Sequence, residues 1–131
     1  MSYLERVCQR ILGLDSSIRF VGIVSIDGEI IVARYRNGLI PLLSKEETTQ
    51  SIIDSVMRMK TRRKLEAKLG KTIIVIGLYE KVKRLAMPIG KTGENVLIVS
   101  LDINSDHNTI IWKKIMPMVE TYHTLSNDYR I

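Results

Sequence analysis

An Asp27-Gly28 pair joins two β-prone runs, Ile18–Ser25 and Glu29–Tyr35, and a long polar segment then separates them from three further strand-like runs. The pair is a strong hairpin signal, because a tight turn between twisted strands needs a residue with positive φ. Helical patterns precede, divide and follow these runs. The order is therefore helix, two strands, helix, three strands, helix. That order predicts a single small α+β domain.

Local signals place each element. Tyr3, Leu4, Val7, Cys8, Ile11 and Leu12 recur at helical spacing and stop near Gly13. Gly22, inside the first strand, predicts a bulge or a close approach by another group. Asn37-Gly38 closes the second strand, and Pro41 marks a loop. Ser44 and Glu47 form a capping-box pattern at the start of the long helix. That helix is expected to bury Ile52, Ile53, Val56, Met57 and Met59. Its apolar stripe lapses across Thr61-Arg62-Arg63-Lys64, so a bend or a change of packing is expected there. Gly70 is the expected stop. Thr72–Tyr79 is almost continuously apolar, as in a strand buried on both faces or paired with another chain. Glu80-Lys81 is a turn, Val82–Met87 a strand ended by Pro88, Gly90 to Asn95 a loop and Val96–Leu101 a central strand. Ile110, Ile111, Ile115, Met118, Val119 and Tyr122 form the last helical stripe, which Pro117 should kink or divide.

Length and composition bound the function. A chain of 131 residues has the length of one domain, 1–131, and can bury roughly two-thirds of its unfolded surface. The lone Cys8 fits a reducing compartment. Glu5, Arg6 and Arg10 interrupt any leader-like start, and the longest apolar runs fall short of the ~20 residues of a membrane span. A cytoplasmic protein without membrane insertion is expected. Net charge is +6, but ten basic side chains against Glu66 and Glu80 place +8 between Arg58 and Arg84. The remainder is net −2. Basicity is local.

The strand containing Gly22, the turn Ser25-Ile26-Asp27-Gly28-Glu29, the helix after Ser44 and the three-strand block Ile73–Leu101 resemble the roadblock/dynein-light-chain group of profilin-like and longin-like folds. The stretches from Leu69-Gly70-Lys71-Thr72 to Tyr79-Glu80-Lys81-Val82-Lys83-Arg84 also look like a group of small archaeal proteins that supplies no activity. The roadblock resemblance implies a five-stranded antiparallel sheet flanked by helices, with the long helix on one face and the terminal helices on the other. It further implies a homodimer paired through the long helices and the edge strands, serving small GTPases or scaffold subunits. The dimer edge would carry Thr72, Ile74, Ile76 and Leu78. An uncovered edge of that hydrophobicity is an aggregation hazard, which independently favours pairing.

Chemical motifs are sparse. Gly90-Lys91-Thr92 suggests a phosphate loop, but Leu85 occupies the required glycine position and a strand follows where a helix should. Asp102, Asn104 and Asp106 match three calcium-loop positions, yet His107 replaces the glycine and Lys113 the bidentate glutamate. Helix capping by Asp106 or Ser105 accounts for them. Cys8, His107 and His123 lie on separate elements and assemble neither a nucleophile–base pair nor a zinc site. No catalytic residue, metal or cofactor is expected. The segment Arg58, Lys60, Arg62, Arg63, Lys64, Lys81, Lys83 and Arg84 stands out instead. Its bland reading is a solvated face. The functional reading is a non-enzymatic regulatory module that contacts an acidic partner protein of small-GTPase or scaffold type. Non-specific nucleic-acid binding through the same residues is the alternative, although no aromatic side chain interleaves with the basic helix for base stacking. A small-molecule sensor is the third reading.

Overall fold

The computed structural model describes residues 1–121. Helix α1 (Tyr3–Leu12) leads into the hairpin β1 (Ile18–Ser25) and β2 (Ile30–Tyr35). Helix α2 (Lys45–Arg63) and a short α3 (Glu66–Leu69) follow, then β3 (Val75–Leu78), β4 (Val82–Ile89) and β5 (Asn95–Asp102). A terminal helix begins as α4 (His107–Thr109), widens into a π-helical stretch at Ile110–Ile115 and is α-helical again over 116–121. The strands form one antiparallel sheet in the order β2-β1-β5-β4-β3.

The sheet buries both faces, so its inner strands alternate between two cores. Val21, Ile23, Leu85, Met87, Leu97, Val99 and Leu101 face α1 and the terminal helix, meeting Val7, Cys8, Ile11, Ile111 and Ile115. Phe20, Val24, Val96 and Ile98 face α2 and meet Ile52, Val56 and Met59. With both sides covered, β5 is an unbroken apolar run from Val96 to Val99.

Local chemistry explains the boundaries. Gly28 takes φ +94°, and its N–H donates to the Ser25 carbonyl to close the hairpin. The Ser44 hydroxyl accepts from Glu47 N while the Glu47 carboxylate accepts from Ser44 N, completing the capping box. The Asp106 carboxylate caps the terminal helix by accepting from Thr109 N. Gly22 leaves room for a neighbour: a Cβ there would lie 3.1 Å from the Phe20 ring.

Several expectations need correction. Within α2, Ile52, Val56 and Met59 are buried, but Ile53 and Met57 are exposed. Positions 52, 56 and 59 form the stripe toward the sheet, and 53 and 57 are rotated about 100° away from it. The third strand is only Val75–Leu78, so Thr72 and Ile74 precede it. Continued two residues further, the register Val75↔Ala86 would oppose Ile73 to Pro88, which has no N–H for the ladder. Thr72 N instead donates to the Glu66 carboxylate, and Ile74 packs on the larger core. Pro88 does not end β4. It lies within the strand, where β3 no longer runs alongside and a proline is tolerated as at an edge. Pro117 neither breaks the terminal helix nor splits it. The π turn just before it, closed by Met116 N donating to the Ile111 carbonyl, makes room for a ring that would strike the carbonyl four residues back. Tyr122 lies outside the described residues.

Candidate functional site

The basic segment does not form one patch. Lys83 and Arg84 are neighbours in β4 and therefore point to opposite faces. Lys83 joins the terminal-helix side, its Nζ donating to the Ser105 carbonyl at 2.5 Å and lying 2.9 Å from His107 Nδ1. Arg63 turns to the β4–β5 loop and donates to the Gly93 carbonyl. Lys60, Lys64 and Lys81 are exposed. Arg58, Arg62 and Arg84 alone come together, along a groove of about 90 Å³ between α2 and the outer strands.

The groove follows from two periodicities. Arg58 and Arg62 are one helical turn apart, so their heads lie side by side. Arg84 shares the sheet face of Ala86, opposite Gly77 of β3 and Ser100 of β5. Val75, Ala86 and Ile98 form the floor, with Ser55 and Tyr79 on the walls. The Tyr79 ring covers Gly77, where a Cβ would approach it to 3.3 Å. The Arg84 guanidinium donates to the Ser51 hydroxyl. Among the described residues none of the three arginines has a carboxylate partner.

A second arginine cluster differs. Asp102 accepts from Arg36 at 2.8 Å and from Arg19 at 3.1 Å. These bonds, the one from Arg36 foremost, hold the Asp102 carboxyl below its ordinary range against the opposing effect of burial. Asp102 stood out in the chain only as a calcium-loop match, and Arg19 and Arg36 not at all, because the pairing links strand ends far apart in sequence. The pairing also removes Asp102 from any calcium loop. Among the described residues no group of three His, Cys, Asp or Glu side chains could hold a metal.

Two further hollows lie elsewhere on the molecule, one of them beside the arginine groove. An apolar one of about 80 Å³ lies under the loop after β2, between Phe20, Tyr35, Leu42 and Ile52, and shares Arg84 and Ile98 with the groove. A larger cavity of about 460 Å³ lies beside the β4–β5 loop, with Met59, Met87 and Met116 in its walls and Arg63, Lys71 and Lys91 around it. Its Gly90-Lys91-Thr92 turn is a hairpin loop between strands, as expected. The Glu94 carboxylate already accepts from the Thr92 amide and hydroxyl, where a bound phosphate would have to compete.

Cys8 is fully buried, its Sγ–H donating to the Val21 carbonyl at 3.4 Å. Burial pushes its thiol up to about 11, so it is a core residue and not a thiolate nucleophile. His107 sits beside Lys83 at the start of the terminal helix, and His123 lies outside the described residues.

The layered sheet, with its long helix alone on one face and terminal helices on the other, is the roadblock-type fold. No family model and no curated sequence matches the chain. Solved structures do. A Roadblock/LC7 domain from Streptomyces avermitilis superposes with a TM-score of 0.70 at 11% identity, covering 92% of this chain and 94% of that one. MglB of Myxococcus xanthus gives 0.70 at 14% identity over 99% and 97%. A structure of MglB in a tetrameric arrangement gives 0.73 at 11% over 95% and 88%. At such identities the likeness establishes the fold. No helix among the described residues is long and apolar enough to cross a membrane.

Proposed function

We propose that the chain is a single-domain, non-enzymatic regulatory module that pairs with a second copy of itself through β3 and contacts an acidic partner protein, of small-GTPase or scaffold type, through the arginine side of α2. The observation that carries the reading is the difference between the two sheet edges. At one edge, β2 carries Arg34 and Arg36 follows it directly, charges of the kind that guard an edge against pairing. At the other, Val75–Leu78 carries no charge at all. Leu65, Leu69, Ile73 and Leu78, on or leading into that edge, are each more than half exposed. A bare edge beside exposed aliphatic side chains favours strand pairing with another chain. The tetrameric arrangement of one MglB structure agrees with a fold that self-associates.

Nucleic-acid binding loses ground, because Lys83 and Arg63 are turned away from the groove and the remaining cations form no continuous track. One observation favours a sensor role, the cavity of about 460 Å³, which falls within the ~300–1,000 Å³ usual for small-molecule sites. Sedimentation at two concentrations tests the pairing. The wild-type chain should sediment as a dimer and Ile76→Lys as a monomer of unchanged secondary structure. A wild-type monomer at the higher concentration rules the homodimer out.

A further inference from the structure

We propose that Arg58, Arg62 and Arg84 form a binding site for one dianionic phosphoryl group, presented on a phosphorylated partner or as a free phosphate monoester. The proposal rests on the reading above that this face of α2 is a contact surface, and it specifies the chemistry of what is contacted.

The protein supplies its own reference for how guanidinium groups are neutralised. Asp102 takes Arg19 on one carboxylate oxygen and Arg36 chiefly on the other, and both oxygens are then in use. In the groove three arginines line one small space, and no carboxylate of the described residues forms an ion pair with any of them. Like charges held together over an apolar floor repel more strongly than they would in open water. An anion entering the groove relieves that repulsion. A single carboxylate has only two oxygens, and at Asp102 two guanidinium groups already engage both. A phosphoryl dianion has three terminal oxygens and close to twice the charge, so it can accept from a third fork. Arginine, planar and permanently charged, is the side chain suited to that recognition.

Size and placement agree. The groove of about 90 Å³ is far below the ~300 Å³ where cofactor-sized sites begin, and it suits a small tetrahedral anion or the tip of a side chain. Ser51 accepts one bond from Arg84 and so fixes that guanidinium in place before any ligand arrives. Ser55 is itself committed, donating to the Ser51 carbonyl at 3.0 Å, so it contributes shape and not a proton. The Tyr79 hydroxyl, on the opposite wall, has no hydrogen-bond partner among the described residues and can donate to a bound oxygen. Arg58 is exposed while Arg62 and Arg84 are half-buried, which leaves the mouth open to a group arriving from outside.

The test is titration of the full chain at low salt with a short peptide bearing one phosphoserine, with the same peptide bearing serine or glutamate, and with inorganic phosphate. The phosphoserine peptide should bind, the serine peptide should not, and the glutamate peptide should bind about tenfold more weakly, the loss implied by one missing charge-assisted hydrogen bond. Arg58→Gln with Arg62→Gln should weaken phosphopeptide binding by about tenfold or more. Lys60→Gln with Lys64→Gln removes the same charge from the end of α2 and its C-cap, outside the groove, and should change it by less than about twofold. Inorganic phosphate that binds as tightly as the phosphopeptide assigns the site to a free phosphate; tighter binding of the peptide assigns it to a phosphoprotein. Equal losses in the two double variants, equal binding of the glutamate peptide, or no response to either phosphate probe overturns the proposal. Failure here is separable from failure of the pairing. A dimer that ignores phosphate rejects the site alone, and a monomer that binds the phosphopeptide rejects the homodimer alone.

Discussion

The two arginine clusters are balanced in opposite ways. Arg19 and Arg36 close on Asp102 and are consumed by the fold. Arg58, Arg62 and Arg84 converge with the Ser51 hydroxyl, and no carboxylate, among the described residues to meet them. The fold neutralises its guanidinium groups internally at one site and not at the other. Unpaired charge over an apolar floor costs stability, and a site that retains it is available to a ligand from outside.

The contrast is most sensitive at the floor. Ile98 lies beneath both the arginine groove and the apolar hollow beside it and is 2% exposed. Ile98→Ala should lower the unfolding free energy by about 2–4 kcal/mol, read from urea denaturation, because the cavity opens between a packed helix and strand. A loss well under ~1 kcal/mol would mean that α2 does not close tightly on the sheet. Next in size is the paired cluster. Asp102→Asn leaves Arg19 and Arg36 without their carboxylate and should cost about 1–2 kcal/mol, discounted because the carboxylate is partly exposed. By contrast, Arg58→Gln with Arg62→Gln should leave stability within about 0.5 kcal/mol of wild type or raise it. Similar losses in the two variants would erase the distinction between a structural and an open cluster.

The smallest effect is in acid. Asp15 accepts from Lys114 at 2.7 Å and from Ser17, and these bonds, with Lys114 foremost, hold its carboxyl down to about 2 from an ordinary 3.8. A folded value below the unfolded one means that the stabilisation is present above the ordinary carboxylate value and is lost as pH falls toward about 2. Asp102 adds to the same acid limb, since its carboxyl is also held low. Lys114→Met should flatten that limb by under ~1 kcal/mol, measured as unfolding free energy against pH, because the pair is partly exposed. Asp102→Asn should flatten it further, and the two effects should not simply add, because Ser17 donates to the Asp15 carboxylate while its carbonyl accepts from Asp102 N.

Part of the groove is legible in the chain itself. Alternation along β4 sets Arg84 and Ala86 against Leu85 and Met87, which already separates Arg84 from Lys83. Helical spacing pairs Arg58 with Arg62 and turns Lys60 aside. Neither period tells which strand passes beneath which turn of α2, so Ser51, Tyr79 and Ile98 cannot be attached to these arginines from sequence. The Asp102 cluster is less legible still, because its members sit at or just beyond the ends of β1, β2 and β5 and meet only when the strands are in register.

Turns, caps and periodicities settled the order of the main elements, since Asp27-Gly28, the Ser44–Glu47 box and the apolar run of β5 act within a few residues. Strand order, the short span of β3, the π turn before Pro117 and the division of arginines into a neutralised set and an open one were decided in three dimensions. Those features depend on which backbone amides find partners and which charges are brought within a few ångströms, and neither is a property of neighbours in sequence.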